Sequence, residues 1–170
     1  VRRGQTDSAS FMAHGFDPDL AEWSPFHGAV YAVLLSVTRL VAMGADWRRA
    51  YLTLQEYFEK LIDRTSWGKP AAALLGAFHM QAALGLGAIG GKDSMSGTFN
   101  DLHVPPTLVS FAVAPGKASE AVSQELKQEG NTLMLFGMPK DETGMPNLDV
   151  FKLHADFLYQ EVKKGNIAAM

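Results

Sequence analysis

The stretch HGAVYAVLLSVTRLVAMG, residues 27–44, constrains the fold more than any other part of the chain. Val30, Val33, Leu34, Val37, Leu40 and Val41 recur at the i, i+3, i+4, i+7 spacing of a helix. Its apolar residues cover so much of the circumference that the helix must be buried against a sheet. Ser24-Pro25 supplies an N-cap and a first helical residue, and Gly44 supplies the stop. A buried helix needs strands to bury it, and the rest of the sequence offers them. Ala50 to Gln55 alternates as a half-buried strand, and TLVSFAVA (107–114) is a largely apolar one. The expected class is α/β (α+β).

Between those strands, Pro70 is expected to open a second helix, AAALLGAFHMQAAL, which Gly85 ends. Residues 1–22 are polar, with Asp17-Pro18 as turn residues, and are expected to be irregular. After Pro115-Gly116, SEAVSQELKQEGN suggests a short helical connector, TLMLF (132–136) a strand, and Leu148 to Lys164 a helix. That helix sets Val150, Leu153 and Phe157 on one side and stops at Gly165. The expected division is therefore 1–115, a connector at 116–130, and a second unit at 131–170. A strand and a helix in about 40 residues make too small a core to fold well alone. The start at Val1 and the stop at Met170 also suggest a piece of something longer.

Composition narrows the function classes. A net charge of −3 gives no electrostatic reason to expect nucleic acid or an anionic membrane as partner, so any phosphate site must be built locally. With no cysteine, a disulfide scaffold, a cysteine zinc site and a thiol nucleophile are excluded. The same absence fits a reducing cytoplasm, and a cytoplasmic location is the expectation. Arg2-Arg3 leads into Gly-Gln-Thr-Asp-Ser rather than an apolar segment, unlike a signal peptide. The apolar run Gly28–Leu35 is far short of the roughly 20 residues that span a bilayer.

The chemistry-bearing segment is GLGAIGGKDSMS, residues 85–96. Gly85-x-Gly87-x-x-Gly90 has a dinucleotide-binding spacing, but it follows a helix instead of preceding one, so the pyrophosphate would meet no free helix N-terminus. A phosphate loop of the Walker type fails as well. Its first glycine would be Leu86, and the hydroxyl needed after Lys92 is replaced by Asp93. What remains is either a turn or a local anion site. In the second reading Gly90 and Gly91 let the backbone approach a ligand, Lys92 supplies a cation, and Ser94 and Ser96 supply hydroxyls. Asp93 would oppose Lys92 at one bare phosphate, so it must turn away or hold a Mg2+ between carboxylate and phosphate.

Weaker candidates lie nearby in sequence. His27, in the first turn of the long helix, reads as a capping or surface residue, and His79 as a packed or exposed side chain. Gln55-Glu56 ends a strand, where charges are common. His103, beside Pro105-Pro106, could close over the glycine segment. Lys127, Lys163 and Lys164 read as solvated.

WSPFHGAVYAVLLSVTRLVAMGAD (23–46), LQEYFEKL (54–61), WGKPAAALLGA (67–77) and above all GAIGGKDSMSGTFNDLHVPPTLVSFAVAP (87–115) closely resemble the phosphoribosylformylglycinamidine synthase family. The resemblance extends over nearly the whole chain. It implies an aminoimidazole ribonucleotide synthetase-like fold, with 1–115 as the later part of an N-terminal α/β domain. Residues 131–170 would then be the first strand and helix of a truncated C-terminal domain.

In that family ATP and Mg2+ activate the formamide oxygen of formylglycinamide ribonucleotide, which ammonia from glutamine displaces. The glutaminase is a separate domain, and the synthetase is built of paired halves. Carried over, the resemblance implies ATP, Mg2+ and formylglycinamide ribonucleotide as ligands of the parent enzyme. Gly90, Gly91, Lys92, Ser94 and Ser96 would lie at a substrate or nucleotide site, and Asp93 would reach a metal. The other half and the glutaminase domain are implied partners, and pairing through strand 50–55 could give a homodimer. Some long relatives carry Glu-x-x-x-Asn on the helix matching 27–43. Here AVLLSVTRLV holds no carboxylate, so the resemblance does not extend to an auxiliary metal–nucleotide site on that helix.

Overall fold

The computed structural model describes residues 6–170. Strand β1 (Ser8–Gly15), helix α1 (Pro18–Trp23), helix α2 (Pro25–Ala42), strand β2 (Tyr51–Tyr57) and helix α3 (Arg64–Leu84) come first. They are followed by strands β3 (Ala88–Ser94), β4 (Thr98–Phe99), β5 (Leu102–His103) and β6 (Thr107–Lys117), and by helix α4 (Leu148–Lys163). Four strands form one sheet in the order β1-β6-β2-β3, while β4 and β5 form a separate hairpin.

The long apolar helix is where its composition puts it. Val30, Val33, Val37 and Leu40 of α2 are completely buried, and each such side chain contributes about 1.5–3 kcal/mol of burial. On β6, Leu108, Ser110, Ala112 and Ala114 are buried and alternate with half-buried residues, as expected of a strand with helices on one face. One polar contact crosses this interior: the Ser36 and Ser110 hydroxyls pair at 3.0 Å, and Ser36 also donates to the Val33 carbonyl. Judged by length and apolarity alone, α2 could cross a membrane, at mean hydropathy 1.3, yet 56% of it is buried within the fold.

Several elements differ from the sequence expectation. Part of the polar N-terminal stretch, expected to be irregular, forms β1, because Ser8 to Gly15 pairs antiparallel with Lys117 to Ser110. Helix α3 begins six residues before Pro70. Asp63 accepts from Ser66 N at 2.8 Å and the Ser66 hydroxyl accepts from Asp63 N at 3.0 Å, a capping box that fixes the earlier start. Pro70 thus lies inside the helix at its seventh residue, where it cannot donate to the Ser66 carbonyl. Gly85 ends the helix at φ 68°, a left-handed cap that favours glycine.

Two C-terminal expectations fail. The connector holds only a short 3-10 turn at Ala118–Glu120. Residues 132–136 form no strand: Leu133, Met134 and Leu135 are exposed, and none of the described residues supplies a neighbouring strand to pair with them. Helix α4 does form. It packs Phe151 and Ala155 inward, with Trp47 Nε1 donating to Asp156 Oδ1 at 2.9 Å. The loop before α4 is tied to α2, since Tyr31 donates to the Gly144 carbonyl at 2.7 Å and His27 Nε2 lies 3.1 Å from the Thr143 carbonyl.

Candidate functional site

Strands β2 and β3 are the sheet's parallel pair, with Gln55 beside Lys92, Glu56 beside Asp93 and Tyr57 beside Ser94. The crevice beyond the carboxyl ends of parallel strands is where α/β sheets place ligands. GGKDS is therefore an edge strand, not a bend. The correction follows from pairing: after an irregularity between Leu52 and Thr53, Gly90 to Ser94 stay in register with Thr53 to Tyr57. Gly91 is required by this packing, since a Cβ there would lie 2.4 Å from the Leu54 carbonyl oxygen. Gly90 has open space around it.

Strand geometry settles the conflict between Lys92 and Asp93, because successive side chains point to opposite faces. Lys92 is exposed; its ammonium contacts only the Asp93 carbonyl, at 3.3 Å, and makes no ion pair among the described residues. Asp93 turns toward Glu56. The Glu56 side chain is buried, 5% exposed, and its Oε1 has no hydrogen-bond partner. Burial, and after it the Asp93 charge, push the Glu56 carboxyl up to about 7. Ser94 is half-buried and Ser96 exposed, and neither hydroxyl is hydrogen-bonded among the described residues.

The segments leaving these strands meet over their ends. Phe58 N donates to the Ser94 carbonyl at 2.8 Å, Gly97 N to Phe58 O at 2.9 Å, and Val104 N to Gly97 O at 2.7 Å. This brings His103 to the rim, with Nδ1 3.0 Å from the Thr98 hydroxyl and 3.7 Å from Glu59 Oε2. Glu59 also pairs with Lys69 on the first turns of α3. The rim thus joins His103, a sequence candidate, to Glu59 and Lys69, which sequence reasoning passed over because they lie ten residues apart. In the sequence Glu56 is a strand-end residue that could contribute a carboxylate, at a place where charges are routine. Its burial depends on cover that a single strand does not reveal.

The other candidates lie elsewhere. His27 binds the Ser24 hydroxyl through Nδ1 at 2.8 Å, a capping contact, and His79 is exposed on α3 near Phe26. Lys163 pairs with Glu120, Lys164 with Glu161, and Lys127 with Glu125. A cavity of about 820 Å³ runs along residues 126–136 and α4, and one of about 290 Å³ lies between the ends of β1 and β6 and α4. The glycine segment lines neither, and Ala88 to Asp93 are exposed, so its face is open.

The sheet order, the helix-covered face and the parallel pair define a mixed α/β fold resembling the N-terminal domain of the aminoimidazole ribonucleotide synthetase type. No family model matches the sequence and no curated protein aligns with it. Among solved structures, PurL from Thermotoga maritima complexed with AMPPCP is similar over 96% of this chain and 26% of its own, at 18% identity and TM-score 0.76. The same protein complexed with FGAR matches 93% of this chain and 28% of its own, at 12% identity and TM-score 0.67. Phosphoribosylformylglycinamidine synthase II from T. maritima matches 72% and 20%, at 20% identity and TM-score 0.63. At such identities the likeness shows the fold, and the chain spans about a quarter of the length of those structures.

Proposed function

We propose that this chain is part of an ATP-dependent, glutamine-dependent ligase that converts formylglycinamide ribonucleotide to formylglycinamidine ribonucleotide in purine synthesis. The observation that carries the reading is the similarity, over 96% of the chain, to a synthase structure complexed with an ATP analogue. The FGAR complex of the same synthase supports the substrate class. In this reading residues 1–115 belong to the N-terminal synthetase domain, 116–130 connect, and 131–170 begin the C-terminal domain. The exposed apolar side chains of 133–135 then await strands from the remainder of a longer polypeptide. The parent enzyme is cytoplasmic, and its other half and glutaminase domain are the partners.

The site at the ends of β2 and β3 supplies the ligand contacts. Lys92 offers an unpaired ammonium to a phosphate of ATP or of the ribonucleotide. Ser94 and Ser96 offer free hydroxyls, and Gly90 leaves the backbone open. Asp93 is the Mg2+ ligand. The residues present fit such an ion, since hard oxygen donors suit Mg2+ and a buried carboxylate oxygen of Glu56 lacks a partner beside Asp93. When bound, Mg2+ would neutralise charge on the phosphates of ATP. Self-pairing through strand 50–55 is ruled out as an edge contact, because β2 lies between β6 and β3. A homodimer would use the outer strands or the uncovered sheet face.

A second reading is a non-catalytic assembly module, favoured by the packing of Gly91 on Leu54 and the openness of the segment. Isothermal titration with ATP and Mg2+, and separately with formylglycinamide ribonucleotide, separates the two. The ligand-site reading expects Lys92→Ala to weaken binding by at least about tenfold, or 1.4 kcal/mol. Binding of both ligands unchanged by that substitution, or no binding at all, supports the structural role.

A further inference from the structure

A buried carboxylate oxygen with no partner is rare, because leaving it unmade costs the desolvation of the group. Glu56, a residue only 5% exposed, presents one, with Asp93 as its neighbour across the parallel pair. Two like charges side by side repel, and no lysine, arginine or histidine forms a salt bridge with either carboxylate among the described residues. Three basic groups of this end of the sheet are directed elsewhere: Lys69 and His103 face Glu59, and Lys92 leaves from the opposite face of β3. The arrangement is an anionic site without a counter-ion. Both residues stand one position before the carboxyl ends of β2 and β3, and a ligand can reach the pair from the exposed Asp93 side.

We propose that Glu56 and Asp93 together form a two-carboxylate site for a divalent cation of the Mg2+ or Mn2+ class. Glu56 is the inner ligand, anchored in the sheet, and Asp93 is the outer one, open to solvent. Neighbouring strands lie about 4.8 Å apart, and an octahedral ion with bonds of about 2.1 Å accepts oxygens about 3–4 Å apart. Side-chain torsions close the remainder. No group of three or more His, Asp or Glu side chains gathers among the described residues, so water or ligand oxygens complete the shell. That is how Mg2+ is commonly held, by one or two carboxylates with several waters retained. The proposal gives the Mg2+ of the reading above a second, buried protein ligand. It does not need the nucleotide, because the carboxylates alone define it.

Mn2+ titrated into the metal-free protein, followed by the paramagnetic resonance signal of the free aqua ion, tests this directly. The expected result is one site per chain, displaced by excess Mg2+. Glu56→Gln and Asp93→Asn should each weaken it at least tenfold, while Lys127→Ala, on the connector, leaves it within about twofold. Asp93 is exposed, so its variant folds even where the Glu56 variant does not, and circular dichroism checks both. Absence of Mn2+ binding by the unaltered protein overturns the proposal, as does binding that ignores both carboxylate substitutions. Mn2+ binding that persists when ATP fails to bind leaves the cation site standing and removes the nucleotide reading. ATP binding that depends on Lys92, with Mn2+ binding indifferent to Glu56, does the reverse.

Discussion

Glu56 ties stability to pH in the direction opposite to Asp63 and Asp141. Its carboxyl rises from 4.5 to about 7, first by burial and then by the Asp93 charge. The folded state therefore holds a proton that the unfolded chain has already released between those values. Stability from this group is intact below pH 4.5 and is lost as pH rises toward 7, with the loss complete above it. At 1.36 kcal/mol per pH unit, the full window is worth at most about 3 kcal/mol. Glutamine at position 56 cannot ionise and keeps nearly the same shape.

Urea unfolding of the unaltered protein and Glu56→Gln, at pH 5 and pH 8 with a chelator present, isolates the effect. The variant's stability relative to the parent should rise by about 2–3 kcal/mol between the two conditions. Asp63 and Asp141 are held below the usual range by hydrogen bonds from Ser66 and Thr143, and they contribute stability that is lost on acidification. Those contributions are common to both proteins and cancel in the comparison. A difference that stays constant from pH 5 to pH 8 would show that Glu56 ionises freely in the folded state, and the burial argument would fail.

Other substitutions probe the frame. Gly91→Ala should loosen β3 by about 1–3 kcal/mol through overpacking against the Leu54 carbonyl, seen as faster amide exchange confined to Gly90–Ser94. Leu40→Ala, at a fully buried position of α2, should cost about 2–5 kcal/mol in chemical unfolding. Asp63→Ala removes the carboxylate half of the capping box on α3 and should cost about 1 kcal/mol by the same measurement. Lys92→Ala should change stability by less than about 0.5 kcal/mol, since the ammonium is exposed and makes no ion pair. A larger loss would mean that the residue is structural.

What could be read along the chain was whatever depends on local periodicity. Residues 27–44 predict their own burial, and Gly85 predicts its cap, because a helix face and a left-handed turn are decided within a few residues. β1 was invisible for the complementary reason. SASFMAHG does alternate, with Ala9, Phe11 and Ala13 turned inward, but Phe11 is the one large apolar side chain on that side, and the strand state is fixed by the long antiparallel register with β6, a hundred residues away. TLMLF shows the converse, with a strand-like sequence and no strand, because no strand among the described residues pairs with it. Local propensity proposes a strand, and a neighbour decides it.

The candidate site divides along the same line. Its glycines, Lys92 and the serines are conspicuous in one short segment, yet the segment alone leaves open whether Lys92 and Asp93 act on one ligand. Parallel pairing with β2 answers that by sending the two side chains to opposite faces and setting Asp93 beside Glu56. The acidic pair has no sequence signature, since its members stand 37 positions apart and meet only through a strand register shifted at Leu52/Thr53. Cation chemistry and anion chemistry are thereby segregated across one edge strand. In the proposed reading Lys92, Gly90 and the Ser94 hydroxyl would serve one face of β3, and the exposed Asp93 with the buried Glu56 the other. A phosphate drawn to Lys92 can then meet an ion held by the carboxylates only by wrapping around the exposed edge of β3. Elongated polyphosphate ligands can make that reach, whereas a compact inorganic phosphate must choose one face.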